Sequence, residues 1–173
     1  MQLTSALVIV LFAVSSMAQR KVTITKFENC DANADYPIKM SFKIKEENGV
    51  QILEEGSVSS KVALGNNIKD TAEVFAMESG KWEHLITINE NLCDAVNKYM
   101  GEFMHDLQEK AGLERGACPV PAGDYKVEQH TLDFGNFKFK KIPEGEFRVK
   151  VTLVDNTSNE TLHCHFLEFK IEK

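Results

Sequence analysis

The chain has 173 residues, 43% of them hydrophobic and 27% charged, and a net charge of −6. That length suits one domain with a sizeable core. Acids outnumber bases and the lysines are scattered, which excludes nucleic acid as a partner and a strongly anionic membrane as the main target, since both select clustered basic residues.

The opening stretch, MQLTSALVIVLFAVSSMAQRK, carries an apolar run from Leu7 to Val14 and then Ser16-Met17-Ala18, a small-x-small cleavage pattern. It predicts a signal peptide over 1–18, a single domain over 19–173, and secretion to the extracellular space or an endolysosomal lumen. The alternative, a membrane anchor, is disfavoured because the run is short for a bilayer span.

After a weaker strand signal at 22–30 comes YPIKMSFKIKEENG. Here Ile38, Met40, Phe42 and Ile44 share one face, with Lys39, Ser41, Lys43 and Lys45 on the other. Further strand signals cover 50–64, 70–78 and 82–88. Leu92, Val96, Tyr99, Met100, Phe103, Met104 and Leu107 then recur at helical spacing, predicting one helix over about 91–111. Asn91 with Asp94 resembles a capping-box start, and Gly112 is placed as a C-cap. Strands follow at 124–131 and 134–140, then in EGEFRVKVTLVDN, where Phe147, Val149, Val151 and Leu153 share a face, and finally at 161–171. Turn chemistry separates them: Asn48-Gly49, Gly65-Asn66-Asn67, Ser79-Gly80, Pro143-Glu144-Gly145 and Asp155 to Asn159. Many short strands with regular turns predict a mostly β sandwich or barrel with one inserted helix.

Signatures of catalysis are missing from the sequence: there is no GxSxG, HExxH, P-loop or GxGxxG. His163 and His165 flank Cys164 on one side of a strand; the plain reading is two surface histidines beside a structural cysteine rather than a metal site. Glu46, Glu47, Glu54 and Glu55 read as a solvated rim, not as a pair of carboxyls facing each other across a cleft. Gly80-Lys81-Trp82 matches the lipocalin GxW, but lipocalins carry it on the first strand. Asn156-Thr157-Ser158 and Asn159-Glu160-Thr161 are adjacent glycosylation sequons in a polar turn. Cys30, Cys93, Cys118 and Cys164 suit disulfides in a secreted chain, and four cysteines allow three pairings. Wide spacing and the lack of a CxxC argue against zinc, and neither metal nor organic cofactor is expected. The apolar stripes fit either a filled core or a lined cavity. The candidate lining residues are Met40, Phe42, Trp82, Ile86, Met100, Phe103, Met104, Phe147, Val149 and Val151. The two methionines one helical turn apart beside Phe103 offer an adaptable apolar surface.

The order of parts is distinctive. KFENC closes the first strand, LC opens the helix, CPVPAGDY follows it, then IPEGEFRVKVTL, then a last strand containing LHCHF. This resembles the lipid-recognition (ML) family of secreted β-sandwich proteins, most of all its ganglioside-activator branch, over nearly all of 19–173. The resemblance implies an immunoglobulin-like β-sandwich, or β-cup, whose sheets part at one end around an apolar cavity. It implies a lipid carrier or presenter rather than a catalyst, and it pairs Cys30 with Cys164 and Cys93 with Cys118. Ganglioside activators brace the cavity rim with further cysteine pairs that this chain lacks. The expectation is a non-enzymatic carrier of an amphipathic lipid or similar apolar small molecule, handed to a receptor or lipid-processing enzyme with transient membrane contact. The rival readings are an interaction module with a filled core and a lipid hydrolase.

Overall fold

The computed structural model describes residues 21–136 and 142–172. The signal segment read over 1–18 therefore lies outside the described residues.

The described residues form eight strands: β1 (Lys21–Asn29), β2 (Ile38–Glu47), β3 (Val50–Ser60), β4 (Ile68–Glu78), β5 (Lys81–Asn91), β6 (Gly123–Thr131), β7 (Gly145–Asp155) and β8 (Thr161–Glu172). They form two antiparallel sheets, one of five strands in the order β1-β8-β7-β4-β5 and one of three in the order β2-β3-β6. The arrangement is the two-sheet sandwich expected from the alternation, with the immunoglobulin-like fold that the family resemblance implies. Two-residue turns at Asn48-Gly49 and Ser79-Gly80 close β2 on β3 and β4 on β5, with Glu47 opposite Val50 and Glu78 opposite Lys81. The strand expected over 134–140 is different: Phe134–Asn136 is a 3₁₀ turn, and 137–141 fall outside the described residues.

The helical insert is not one continuous helix. It runs as α1 (Leu92–Ala95), a π turn (Val96–Met100) and α2 (Glu102–Lys110). Gly101 divides it, at φ 51 and ψ −127, a conformation open essentially to glycine alone. The helical period was therefore correct and its continuity was not, because Gly101 here turns the chain instead of extending the helix. Asn91 occupies the N-cap position but makes no side-chain cap bond. Its role is taken from a distance: Asn66 Oδ1 accepts the Cys93 N–H at 3.1 Å. At the other end Gly112 (φ 79) completes a Schellman cap, with Gly112 N–H donating to Glu109 O and Leu113 N–H to Gln108 O.

Disulfides Cys30–Cys164 and Cys93–Cys118 are both formed, with Cα separations of 5.4 and 6.0 Å. The first continues the β1–β8 ladder, where Cys30 N–H also donates to Cys164 O. The second holds the start of the insert to the chain that leaves it, and Val120 then pairs with Leu64 through two backbone bonds of 2.8 and 2.9 Å.

Buried side chains fall into two clusters. Ile38, Ile68, Leu153 and Leu162 form one, with Met40, Val58, Leu92 and Val151 packed against it. Leu53, Phe103, Val127 and Leu132 form the other, with Phe42, Met100, Leu107 and Phe134 around them. The second cluster seats α2 on the inner face of the three-stranded sheet, where Phe103 stacks on Phe134 at 5.4 Å between ring centroids. No described helix is long and apolar enough to cross a membrane.

Candidate functional site

The inner face of the five-stranded sheet can be read row by row from the strand register. One row crosses all five strands as Ile86, Val74, Val149, Leu167 and Phe27. The next runs Ala76, Phe147, Phe169 and Ile24. Along each strand these residues fall at alternating positions, apart from the bulges in β1 and β5, so their side chains turn to the same side. Phe147 is 3% exposed and stacks on Phe169 at 5.6 Å. Val74, Val149, Leu167 and Phe169 are only half-buried, and they stand outside both buried clusters. At the β5 edge, Ile86 is 53% exposed.

The sheets meet along one side. Gln51, buried on β3, accepts the Ile24 N–H at 2.7 Å and donates to Ile24 O at 2.8 Å, standing in for a neighbouring strand. Phe27 of β1 meets Phe42 of β2 edge to face at 4.8 Å. His163 of β8 bonds through Nδ1 to the Ile38 carbonyl of β2 at 3.0 Å.

The ten candidate lining residues do not all reach one place. Phe147, Val149, Val151 and Ile86 share the inner face of the large sheet, and Met40 and Phe42 project from β2 into the two buried clusters. Met100 and Phe103 belong to the cluster under the helix, while half-buried Met104 lies outside both clusters. Trp82 is on the opposite, outer face of the sheet, with the Arg148 guanidinium 4.5 Å from its ring centroid. A bulge is the reason: Val74 pairs with Ile86 and Phe75 with His84, so Leu85 is an extra residue that puts Trp82 and Ile86 on opposite faces.

Sequence reasoning missed three inward-facing polar residues. His163 is 0% exposed, not a surface residue, and His165 lies on the same face, 4.8 Å from the Phe27 ring. Burial, with the neighbouring His163 as a lesser cause, pushes His165 down to about 3, and burial also lowers His163, so both rings are neutral at pH 7. Asp70, opposite Leu153, is pushed up to about 6 by burial. The missed signal was phase: His163 and His165 alternate in step with Leu167, Phe169 and Ile171, and Asp70 in step with Ile68, Ala72 and Val74. Among the described residues no group of three or more His, Cys, Asp or Glu is placed to hold a metal ion.

The two sequons also differ. Asn156 Nδ2 donates to Asn66 O at 3.0 Å and to Asn91 Oδ1 at 3.4 Å, within the network that caps the helical insert. Asn159 is exposed in the turn, at φ 59.

No curated protein matches the chain. Among solved structures, the crystal structure of chicken MD-1 complexed with lipid IVa matches at 13% identity, covering 88% of this chain and 98% of that one, with a TM-score of 0.40. That likeness is too distant to carry a ligand across. The family model for the ML domain matches residues 24–171, from within β1 to within β8. With nearly the whole described sandwich inside that match, the chain belongs to the ML domain family.

Proposed function

We propose that the protein is a secreted, non-enzymatic carrier that holds an amphipathic lipid or similar apolar molecule between its sheets and presents it to a receptor or lipid-processing enzyme. One observation carries the reading: the row Ile86–Val74–Val149–Leu167–Phe27 is apolar across five strands, yet its middle is half-open and its edge exposed. Burying hydrocarbon against such a face yields about 25 cal/mol per Å² removed from water. Membership of the ML domain family supports the same reading. The ganglioside-activator branch is the closest reading of the CPVPAGDY segment, on a chain with four cysteines.

The packed cluster around Phe103 and Leu53 favours the rival, an interaction module with a filled core. Native mass spectrometry of protein purified from its source, together with binding of an apolar fluorescent dye, separates the two. The carrier is expected to show co-purifying lipid and a dye that lipid displaces; neither lipid nor dye would leave the filled module. Within the secreted protein, Asn159 is the acceptor we expect to carry a glycan, because both amide hydrogens of Asn156 are engaged in the network. Peptide mapping that finds sugar on Asn156 would overturn that assignment.

A further inference from the structure

The unpartnered polar atoms of the large sheet's inner face gather at one end, while the Glu83 that pairs with Ala76 lies at the exposed β5 edge. Beyond the two apolar rows comes Ile88, Ala72, Val151, His165 and Asn29, and beyond that Glu90, Asp70, Leu153 and His163. Three buried side-chain atoms among the described residues have no hydrogen-bond partner, and all three are in these rows: Asp70 Oδ1, His163 Nε2 and His165 Nδ1. Buried polar atoms are ordinarily paired, because an unpaired one forfeits its hydration without compensation. Three orphans in adjoining rows of one face point to a partner from outside the chain.

The chemistry of that partner follows from His163. Its Nδ1 lies 3.0 Å from the Ile38 carbonyl oxygen, and a carbonyl only accepts, so Nδ1 carries the proton. The neutral ring then presents a bare lone pair at Nε2, which engages only a donor. His163 also contributes, with Tyr36, Ile38, Met40 and the paired Lys39 and Asp35, to the wall of a cavity of about 170 Å³. Charge narrows the choice further. Neither polar row contains a lysine or arginine, and Lys98 of the insert is already paired with Glu90 at 2.5 Å. An anionic head group brought here would meet the Asp70 carboxyl, and the Lys39 ammonium on the cavity wall is already paired with Asp35 at 2.8 Å.

We propose that the interior receives the hydroxyl end of an uncharged amphiphile, whose O–H donates to His163 Nε2 while its hydrocarbon lies along the two apolar rows. This rests on the carrier reading and adds to it the ligand class, a neutral hydrogen-bond donor rather than a carboxylate or phosphate, and its orientation.

The test compares hexadecan-1-ol, its methyl ether and hexadecanoate in displacing an apolar fluorescent dye from the full secreted protein at pH 7.5. The alcohol is expected to bind at least about tenfold more tightly than either of the others, the difference one buried hydrogen bond makes. His163→Phe should erase that preference while leaving the ether unchanged. Because the variant alters a buried site, ¹⁵N spectra of the wild type give a second readout: the alcohol should move the His163 Nε2 resonance and the ether should not. Equal affinity for alcohol and ether, as when a water molecule already occupies Nε2, overturns the proposal, and so does a preference for hexadecanoate. Dye binding with displacement by all three probes alike would leave the carrier reading standing and remove this one; no binding of dye or probe removes both.

Discussion

Where β1 and β8 face β2 and β3, the sheets are joined by bonds with direction: the paired Gln51–Ile24 bonds, the Phe27–Phe42 edge contact and the His163–Ile38 bond. At the opposite edge β5 presents Leu85, 51% exposed, and Ile86, 53% exposed, although Ile86 lies on the inner face. The same sheet therefore has one margin that fixes the spacing of the sandwich and another where apolar surface stays accessible. A solid sandwich would spread its closure over both margins. Concentrating it on one leaves the other free to admit a chain of hydrocarbon without unfolding anything.

The largest break in that asymmetry comes from releasing β1. Cys30–Cys164 closes a loop with a sequence separation of 134, and its loss in a Cys30→Ser/Cys164→Ser variant is expected to cost about 5 kcal/mol in the chain-entropy model. The Cys93–Cys118 pair, with a separation of 25, should cost less, about 3.5 kcal/mol. Urea unfolding of the two double variants gives the ranking, and a reversed order would show that β1 is not what holds the closed margin.

Gln51→Ala tests the same margin with one side chain. It strips the Ile24 N–H and C=O of their partners together, and two orphaned backbone groups are expected to cost about 3–4 kcal/mol. A loss below about 1 kcal/mol, the range of an ordinary surface change, would mean water replaces the amide and the margin is looser than its geometry.

Asp70 sharpens the comparison through pH. Its folded carboxyl holds a proton up to about pH 6 and its unfolded one only to 3.8, so its own contribution to stability is greatest at acid pH and is lost as pH rises between those values, by about 3 kcal/mol when complete. His165 runs the other way: it titrates at about 3 when folded against 6.5 when unfolded, so stability falls as pH drops through that window. The two oppose each other between pH 4 and 6. Asp70→Asn should therefore raise stability at pH 7.5 and make acid unfolding steeper. Superimposable pH profiles for the variant and wild type would show that the carboxyl is solvated.

These residues also mark how far the sequence could be read. The β2 and β7 stripes were plain because one face of each is apolar and the other charged, and the same rule held through Ile38 to Ile44 and Phe147 to Leu153. Trp82 was misplaced because a single extra residue, Leu85, reverses the phase, and a bulge leaves no trace in composition. The helical period survived the break at Gly101, whose effect depends on a conformation that spacing does not encode. His163, His165 and Asp70 were in phase with the core all along; for the two histidines residue type outweighed phase and they were read as surface, and Asp70 was passed over.

The smallest effect on folding is expected on the open margin, and there the comparison is sharpest. Ile86→Ser removes a half-exposed apolar group from β5, so folding stability should change by no more than about 0.5 kcal/mol. Apolar contact with a bound hydrocarbon is lost all the same, and dye or lipid affinity should fall roughly threefold. Gln51→Ala should do the reverse, lowering stability far more than affinity per folded molecule. If Ile86→Ser instead destabilises the fold as Gln51→Ala does, both margins bear the closure and the open side is structural. If affinity is untouched, hydrocarbon enters elsewhere. Only a variant that leaves folding intact and loosens the ligand assigns the β5 margin to binding.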